Sequence, residues 1–390
     1  MEVNQVYSVL NDINKQMWGE DALAVHNLAG IISMGQTVLD SSNTDMLDKF
    51  MKTLIDRIGK VIYRRLDIEL DFPKLMMNEF EFGAILSKVD IDPFENLANS
   101  DWQEASNFQP TLLDVFPPKV YQTFFTGINA WEERKTLPQN ILTTAFTSAG
   151  EMANFFNAVT AAMVDSMTYS INNMARTSIN NFIAEKIKNN NGIINLADMY
   201  NTAYSSSPVS SVEEALRTPE FLRYASNIIR RYFKYISMPN VNYNVKGRVR
   251  ATQRDNAHFL ANTLFVAGME TFLESDTYHR ELVSLKNYTE VAWWQADKGS
   301  NQLDQPEDVT AINIIPSSEK GQVTPTAVEQ SGIIAVIADR QAIGVGLNKR
   351  RSAAFYNDMD DVTTVKMSAS IQHYNDLSEN GLIFIAEPSQ

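Results

Sequence analysis

The four histidines are the first residues to test for metal or acid–base chemistry, because imidazole is a common zinc ligand and titrates near neutral pH. They are scattered, and none has the His-x-x-x-His spacing that places two ligands on one helix face. The chain contains no cysteine, which excludes thiolate ligands, disulfides and cysteine nucleophiles. The sequence therefore predicts no metal centre at His26, His258, His279 or His373.

Two segments have some features of ligand loops but lack the complete patterns. GVGLNKRR at 344–351 combines glycines with cations but lacks the GxxxxGK[ST] spacing of a phosphate loop. Acidic and amide side chains cluster at 357–361, without the glycine and distal glutamate of an EF-hand. We predict no cofactor at either segment.

Carboxylates at alternate positions are the remaining candidates for acid–base chemistry. Asp67, Glu69 and Asp71 share one face of a predicted exposed strand, where carboxylates are solvated rather than tuned for catalysis. No Gly-x-Ser-x-Gly nucleophile motif occurs. The sequence supports no catalytic residue, and we expect that the protein is not an enzyme.

Charge is strongly segregated along the chain. Residues 66–115 hold eleven acids against two lysines, and residues 216–254 hold nine cations against one acid. Complementary patches of this kind set register between neighbouring copies of a self-assembling protein. We therefore expect the acidic face to contact basic side chains of a neighbouring copy; the candidate contact residues are Asp67, Glu69, Asp71, Arg230, Arg231, Arg248 and Arg250. Two unrelated solvated surfaces would give the same pattern.

Overall charge and hydropathy argue against direct binding to nucleic acid and against a membrane span. The net charge of -14 disfavours direct binding to phosphate backbones. No apolar run approaches the ~18–20 residues of a membrane span, and the first residues lack the basic region of a signal peptide.

The acidic residues belong to a predicted ribbon that follows an N-terminal helical arm. Apolar spacing predicts a helix from Phe50 that Gly59 ends. Alternation predicts a strand at 66–72, with 120–125 as its returning partner across a long connection.

The second half of the chain is predicted to begin with one long helix. A run without proline or glycine predicts a helix from Glu151 to about Lys188, ended by the NNNG sequence. Thr218 and Pro219 predict the start of another helix. A further helix is predicted from Asp255 to Met269, then strands within 283–294, 309–315, 332–338 and 342–347, and finally an antiparallel pair at 365–373 and 382–385.

Three segments in this order resemble a known family. FMKTLIDRIGKVIYRRL at 50–66, TAFTSAGEMANFFNAVTAAMVDS at 144–166 and DRQAIGVGLNKRR at 339–351 are similar to segments of the major capsid proteins of tailed bacteriophages, especially small short-tailed phages (podoviruses). The resemblance implies an α+β chain with the Hong Kong 97-like capsid fold: an N-terminal arm, an extended β-hairpin loop, a long spine helix in a peripheral domain, and a mixed axial domain.

The resemblance also implies domain boundaries. In chain order these are an N-terminal arm at 1–49, a helix and lead-in strand of the peripheral domain at 50–65, the extended loop at 66–125, the peripheral domain with its spine helix at 126–192, the axial domain at 193–355, and C-terminal strands of the peripheral domain at 356–390.

The function implied by the resemblance is structural. The chain would assemble with itself into hexamers and pentamers of an icosahedral phage head that encloses double-stranded DNA without binding it specifically. The implied partners are a separate scaffolding protein and a portal, with assembly in the host cytoplasm and the virion capsid as the final location. Two alternatives remain at this stage: the shell of a cellular nanocompartment with the same fold, and a soluble enzyme or adaptor.

Overall fold

The protein is described here by a computed structural model. It describes residues 3–19, 25–39, 48–54, 71–76, 86–91, 119–125, 128–138, 144–145, 147–271, 288–296, 305–357, 360 and 362–389. Within these residues no helix is both long and apolar enough to cross a membrane.

The chain divides into two compact units, each built from separated stretches of sequence. Unit 1 contains Met1–Ala84, Ile128–Ala175 and Val345–His373. Unit 2 contains Ile85–Gly127, Arg176–Gly344 and Tyr374–Gln390.

Seven helices are described with defined ends, and a further helical stretch covers residues 48–54. The helices are α1 (Val3–Trp18), α2 (Leu28–Val38), α3 (Ala149–Lys188), α4 (Leu196–Ala203), α5 (Val212–Arg217), α6 (Pro219–Ile236) and α7 (Thr263–Met269). Short 3-10 turns occur at Pro73–Leu75, Arg254–Asn256 and Ser317–Glu319.

Twelve strands are described, in four sheets. They are β1 (Leu86–Ile91), β2 (Val120–Phe125), β3 (Ile128–Pro138), β4 (Ile193–Asn195), β5 (Ala257–Asn262), β6 (Tyr288–Val291), β7 (Ile312–Ile314), β8 (Val328–Gln330), β9 (Ile333–Asp339), β10 (Ile343–Asn357), β11 (Val362–Asn375) and β12 (Gly381–Ile385).

The long helix α3 confirms the sequence prediction. Its apolar residues recur at helical spacing, and Met152, Val159, Met163 and Ile171 are buried in unit 1. At 1.5 Å per residue, its 40 residues span about 60 Å.

The predicted NNNG stop also occurs, and it closes around a buried lysine. Asn190 and Gly192 both have positive φ, at 46° and 70°. Lys186, in the last turn of α3, is fully buried, and its Nζ donates to Asn191 Oδ1 at 2.7 Å and to the Tyr243 carbonyl at 2.6 Å. The bond to Asn191 holds the residues that end the helix, and the bond to Tyr243 fixes that end to the loop after α6.

Unit 1 contains a three-stranded sheet in the order β10-β11-β3. β11 and β3 are antiparallel, with Val362 opposite Pro138 and Gln372 opposite Ile128. Alternation along β11 buries Val365, Met367 and Ile371, as the sequence predicts for one face of that strand.

Unit 2 is built on a five-stranded sheet in the order β4-β12-β9-β5-β6. Every residue of β9 and of β12 is buried, which is typical of central strands covered on both faces. Helix α6 places Phe221, Leu222 and Ile229 in the same core as Phe384 of β12.

Three sequence predictions of pairing or element type are wrong. Strand 120–125 forms, but it pairs with Leu86–Ile91 instead of 66–72, most of which lies outside the described residues. The C-terminal strands β11 and β12 do not pair with each other, because β12 lies between β4 and β9. The predicted helix from Asp255 is instead a 3-10 turn, then β5, then the short helix α7, since pairing with β9 and β6 on both edges holds 257–262 extended.

Candidate functional site

The hairpin of β1 and β2 is the structural feature best suited to contact another molecule. The strands are antiparallel over six pairs, from Leu86 opposite Phe125 to Ile91 opposite Val120. They form a separate two-stranded sheet, which is at best marginally stable in water by itself. The hairpin therefore needs support on at least one of its faces.

The outer face of the hairpin is apolar and exposed. Val89 and Phe124 are each 59% exposed, Val120 is 56% and Ile91 is 54%. Because alternate residues of a strand share a face, these four side chains lie together with Ser87 and Gln122. We call this surface the outer face.

The opposite, inner face carries charged and aromatic side chains and packs on the rest of unit 2, to which the hairpin itself belongs. Lys88 and Asp90 of β1 point to this side, as do Tyr121 and Phe125 of β2. The Phe125 and Tyr374 rings contact each other with centroids 4.7 Å apart. The hairpin thus reverses the usual arrangement, with its charges turned inward and its apolar side chains turned to solvent.

Six charged side chains form what we call the ion cluster beneath the inner face. Lys88 Nζ lies 2.8 Å from Asp376 Oδ2 and also contacts Glu379. Asp90 Oδ2 lies 2.7 Å from Arg250 Nη2 and 2.9 Å from Arg248 Nη1, and Arg250 Nε lies 3.0 Å from Glu379 Oε1. Their side chains are only 3% to 19% exposed.

Two loops of unit 2 supply the partners of Lys88 and Asp90. Asp376 and Glu379 lie in the turn between β11 and β12, and Arg248 and Arg250 lie in the loop after α6. The loops are joined by backbone hydrogen bonds from Val245 to Leu377 and from Gly381 to Tyr243.

Arg248 is held in place from two directions. Its backbone N–H donates to Asn244 Oδ1 at 2.7 Å, and the Asn244 Nδ2 donates to the Arg248 carbonyl, also at 2.7 Å. Its guanidinium lies 4.1 Å from the centre of the Tyr121 ring. The ion cluster is therefore a constrained arrangement, which lowers the entropic cost of holding its charges together.

The two carboxyl groups that contact Lys88 have pKa values shifted in opposite directions. Burial alone would raise the pKa of Asp376, but hydrogen bonds from Lys88 and Ser378 lower it below its ordinary value. Burial opposes charge on Lys88, yet the bonds to Asp376 and Glu379 raise its pKa overall. Burial raises the pKa of Glu379 despite the contact with Lys88, so Glu379 is more readily protonated than Asp376.

The three carboxylates also satisfy the distance requirement of a cation site. Ligand atoms of Asp90, Asp376 and Glu379 lie within 4.8 Å of one another. The Lys88 ammonium lies within 3.9 Å of all three, and two arginines complete the neutralisation. These side-chain cations take the position that a metal ion would need, so the arrangement is an ion-pair network.

The structure brings together only some of the contact residues proposed from sequence. Asp67 and Glu69 lie outside the described residues. Asp71 is exposed in unit 1, where its backbone N–H donates to Asn172 Oδ1 at 3.2 Å. Arg248 and Arg250 contact a carboxylate of the acidic segment, Asp90, within the same chain.

Arg230 and Arg231 lie elsewhere in unit 2, on the exposed side of α6. Arg231 Nη2 donates to the Tyr235 hydroxyl at 3.2 Å, one turn further along the helix. Arg223 and Lys234 are exposed on the same side, so α6 presents a basic stripe to solvent.

Comparison with known proteins identifies related chains. A family model described as "Phi29-like phage major capsid protein" matches residues 10–384. No curated protein matches the sequence. Among solved structures, a chain in the capsid structure of Staphylococcus phage Andhra is similar, with a TM-score of 0.53 and 10% identity over 80% of this chain and 83% of that chain. A chain in the structure of head fiber and inner core protein gp22 of native bacteriophage P68 has a TM-score of 0.53 and 9% identity over 82% of this chain and 85% of that chain.

Proposed function

Because the chain belongs to the Phi29-like phage major capsid protein family, we propose that it assembles with itself into hexamers and pentamers of an icosahedral phage head. The protein is a major capsid protein, a structural subunit of a phage shell, with an α+β Hong Kong 97-like capsid fold. The match across residues 10–384 carries this conclusion and favours the phage shell over a nanocompartment or adaptor. We propose no catalytic role.

The hairpin gives the proposed assembly a physical basis. Four large apolar side chains on the outer face remain more than half exposed in a single copy. Full burial of such a side chain contributes roughly 1.5–3 kcal/mol, so covering the exposed half contributes about 1 kcal/mol for each. We propose that a neighbouring subunit covers the outer face, and that the ion cluster keeps this face turned outward.

The domain assignment from sequence is retained as a proposal. Residues 66–125 would form the extended loop, 126–192 the peripheral domain and 193–355 the axial domain. The chain would begin with the N-terminal arm at 1–49, and the segment 50–65 and the C-terminal strands at 356–390 would belong to the peripheral domain. The long helix α3 supports the assignment of a spine helix within 126–192.

Charge contacts between neighbours are proposed as a second contribution. Asp67, Glu69 and Asp71 would face Arg230 and Arg231 of a neighbouring subunit. Arg248 and Arg250 have Asp90 as a partner in their own chain, so we expect them to contribute to the intersubunit contact indirectly, by holding the hairpin.

Other partners are proposed from the family membership. The chain would need a separate scaffolding protein and a portal to close a head of defined size, and it would be assembled in the host cytoplasm before residing in the virion capsid. The net charge of -14 supports a container that encloses double-stranded DNA without gripping it.

Electron microscopy of the expressed chain tests the central proposal. We expect closed shells or capsomer rings when the chain is expressed with its scaffolding protein. A stable monomer or dimer under every condition, with and without candidate scaffolds, would contradict self-assembly. Empty precursor heads that lack any scaffolding protein would contradict the proposed scaffolding partner but not self-assembly.

A pair of valine variants tests the outer face. Val89→Ser removes apolar area from the hairpin, whereas Val323→Ser makes the same change at a fully exposed position outside it. We expect Val89→Ser to reduce the yield of shells at least several-fold and Val323→Ser to leave it unchanged, with both folded subunits equally stable. Equal shell yields would show that the outer face is not covered in the assembly.

The acidic face has its own test. Glu69→Lys should hinder assembly and leave the fold intact, since a charge on the solvated strand face that the sequence predicts for Glu69 contributes only ~0–1 kcal/mol to stability. Normal assembly of this variant would remove the charge contact from the proposal while leaving the apolar contact in place.

A further inference from the structure

Unit 2 contains a groove with an apolar floor and an acidic rim. It lies between α5 and α7, has a volume of about 660 Å³, and its floor includes Leu216, Leu264 and Ala267. Leu264 is 49% exposed and Ala267 is also exposed, whereas Phe265 and Met269 on the same helix are buried. This exposed apolar floor favours an apolar occupant.

The rim of the groove determines the charge of that occupant. Glu213, Glu307 and Asp308 line it together with one cation, Arg217, which pairs with Glu213. Two carboxylates, on Glu307 and Asp308, thus remain in excess at the rim. An occupant with apolar side chains flanked by cations would complement both the floor and the rim.

A surface of this type is present at the far end of α6. Three large apolar side chains there face solvent instead of the core of unit 2: Tyr235 is 42% exposed, Met238 is 55% and Val241 is 45%. Lys234 is exposed beside them in the last turn of the helix, and Arg231 is exposed in the turn before it. We call these five residues the knob.

The groove and the knob lie at opposite ends of one helix. Helix α5 ends at Arg217, and α6 begins two residues later, so the groove is at the start of α6. The knob is at its end, and 18 residues of helix separate the two by about 27 Å. A helix cannot bring its own two ends together, so a knob can fill a groove only in a different copy.

We propose that the knob of one subunit docks in the groove of the next subunit around a ring of this chain. The contact is heterologous, because two different surfaces of the same chain meet, and repeated heterologous contacts close into rings when the rotation between copies allows it. The proposal rests on the proposed function and specifies which surfaces of unit 2 form the ring.

The absence of native cysteine permits a direct test by engineered cross-linking. Met238→Cys combined with Leu264→Cys places one thiol on the knob and one on the groove floor. Mild oxidation of assembled particles should give a ladder of cross-linked subunits on a non-reducing gel, ending at closed pentamers and hexamers. A disulfide forms only when the two Cα atoms come within about 7 Å, so the ladder would locate the contact.

The matched control pairs Met238→Cys with Val323→Cys, which is fully exposed and lies on neither surface. We expect no ladder from the control. If particles with the Met238→Cys and Leu264→Cys pair assemble normally but give no ladder, the knob does not occupy the groove, and the proposal is overturned. Failure of the unmodified chain to assemble would instead count against the proposed function.

A charge-reversal series provides an independent test if the cysteine pair impairs assembly. We expect Lys234→Glu and Glu307→Lys each to reduce assembly at least tenfold, and the double variant to recover most of the loss. Normal assembly of both single variants would overturn the proposal. Poor assembly of the double variant, at the level of the single variants, would also overturn it.

Discussion

Replacing Asp90 by asparagine should release the hairpin from the rest of unit 2 without unfolding that remainder. The Asp90 carboxylate contacts Arg250 at 2.7 Å and Arg248 at 2.9 Å, and its side chain is only 12% exposed. An isosteric amide keeps the shape and removes the charge, so the ion cluster is left with an excess positive charge away from water.

The expected cost follows from the geometry. Breaking a buried ion pair by removing one partner costs about 3–5 kcal/mol. We expect about 3 kcal/mol, near the lower end, because Arg250 keeps Glu379 at 3.0 Å and Arg248 keeps its contact with the Tyr121 ring. Since every 1.4 kcal/mol is a factor of ten, the opening equilibrium of the hairpin should shift by about 100-fold.

Hydrogen exchange measures this shift where it occurs. The two strands form their own sheet, so once the hairpin detaches, their amides lose protection. In unassembled subunits, peptides covering 86–91 and 120–125 should exchange about 100-fold faster in Asp90→Asn than in the wild type. Peptides covering the central strand β5 should not change.

An exposed aspartate provides the control. Asp255 lies in the 3-10 turn before β5, outside the ion cluster, and Asp255→Asn should leave hairpin exchange unchanged. If Asp90→Asn accelerates exchange less than about threefold, the ion cluster does not hold the hairpin, and packing of Tyr121 and Phe125 must be responsible.

Two further predictions concern the end of α3. Burial lowers the pKa of Lys186 to about 7. Between pH 7 and the ordinary lysine pKa, the Lys186 amine is therefore protonated in the unfolded chain but not in the folded one. Because the unfolded state binds the extra proton, the contribution of Lys186 to stability rises with pH. Denaturant unfolding of the wild type and Lys186→Met should be compared at pH 7 and pH 9. The free energy of unfolding of the wild type should rise relative to that of the variant, by at most about 1.4 kcal/mol per pH unit. The same difference between the two proteins at both pH values would contradict the lowered pKa. Gly192→Ala should lower the free energy of unfolding by about 2–5 kcal/mol, since φ is +70° and a Cβ would lie 2.3 Å from the Gly381 carbonyl oxygen. Gly247→Ala, at φ +62° with nothing within 4 Å, should cost only about 1–2 kcal/mol in thermal or denaturant melts, and equal losses would contradict the clash.

Elements with strong local periodicity could be predicted from the sequence. Helix α3 followed from apolar residues such as Met152 and Ile171 at helical spacing, and its end followed from Asn190 and Gly192, which tolerate positive φ. Strand β2 followed from its β-branched and aromatic residues. In each case the determining interactions lie within the element or next to it.

Elements fixed by distant partners could not be predicted. Strand β5 is buried on both faces, with Phe259, Leu260 and Ala261 all at most 3% exposed, so it lacks the alternation that distinguishes a strand from a helix. The pairing of β12 with β4 and β9 depends on the sheet as a whole.

The ion cluster was missed for the same reason. Lys88 is 288 residues from Asp376 and 291 residues from Glu379 in the sequence. A local signal did exist: Lys88 and Asp90 alternate with apolar residues in SKVDI, which indicates a strand with one charged face. That pattern predicts a charged face but cannot indicate that the face turns inward.

The position of β12 has a consequence for biosynthesis. It is the last strand in the chain, yet it lies between β4 and β9 near the middle of the five-stranded sheet. During translation β4, β5, β6 and β9 therefore emerge before the strand that joins β4 to the rest of the sheet. Such long-range closure is slow, and incomplete chains expose unpaired strand edges. Unit 2 should consequently complete its folding only after residue 385 has been synthesised, so that truncated products cannot enter a growing shell as correctly folded subunits.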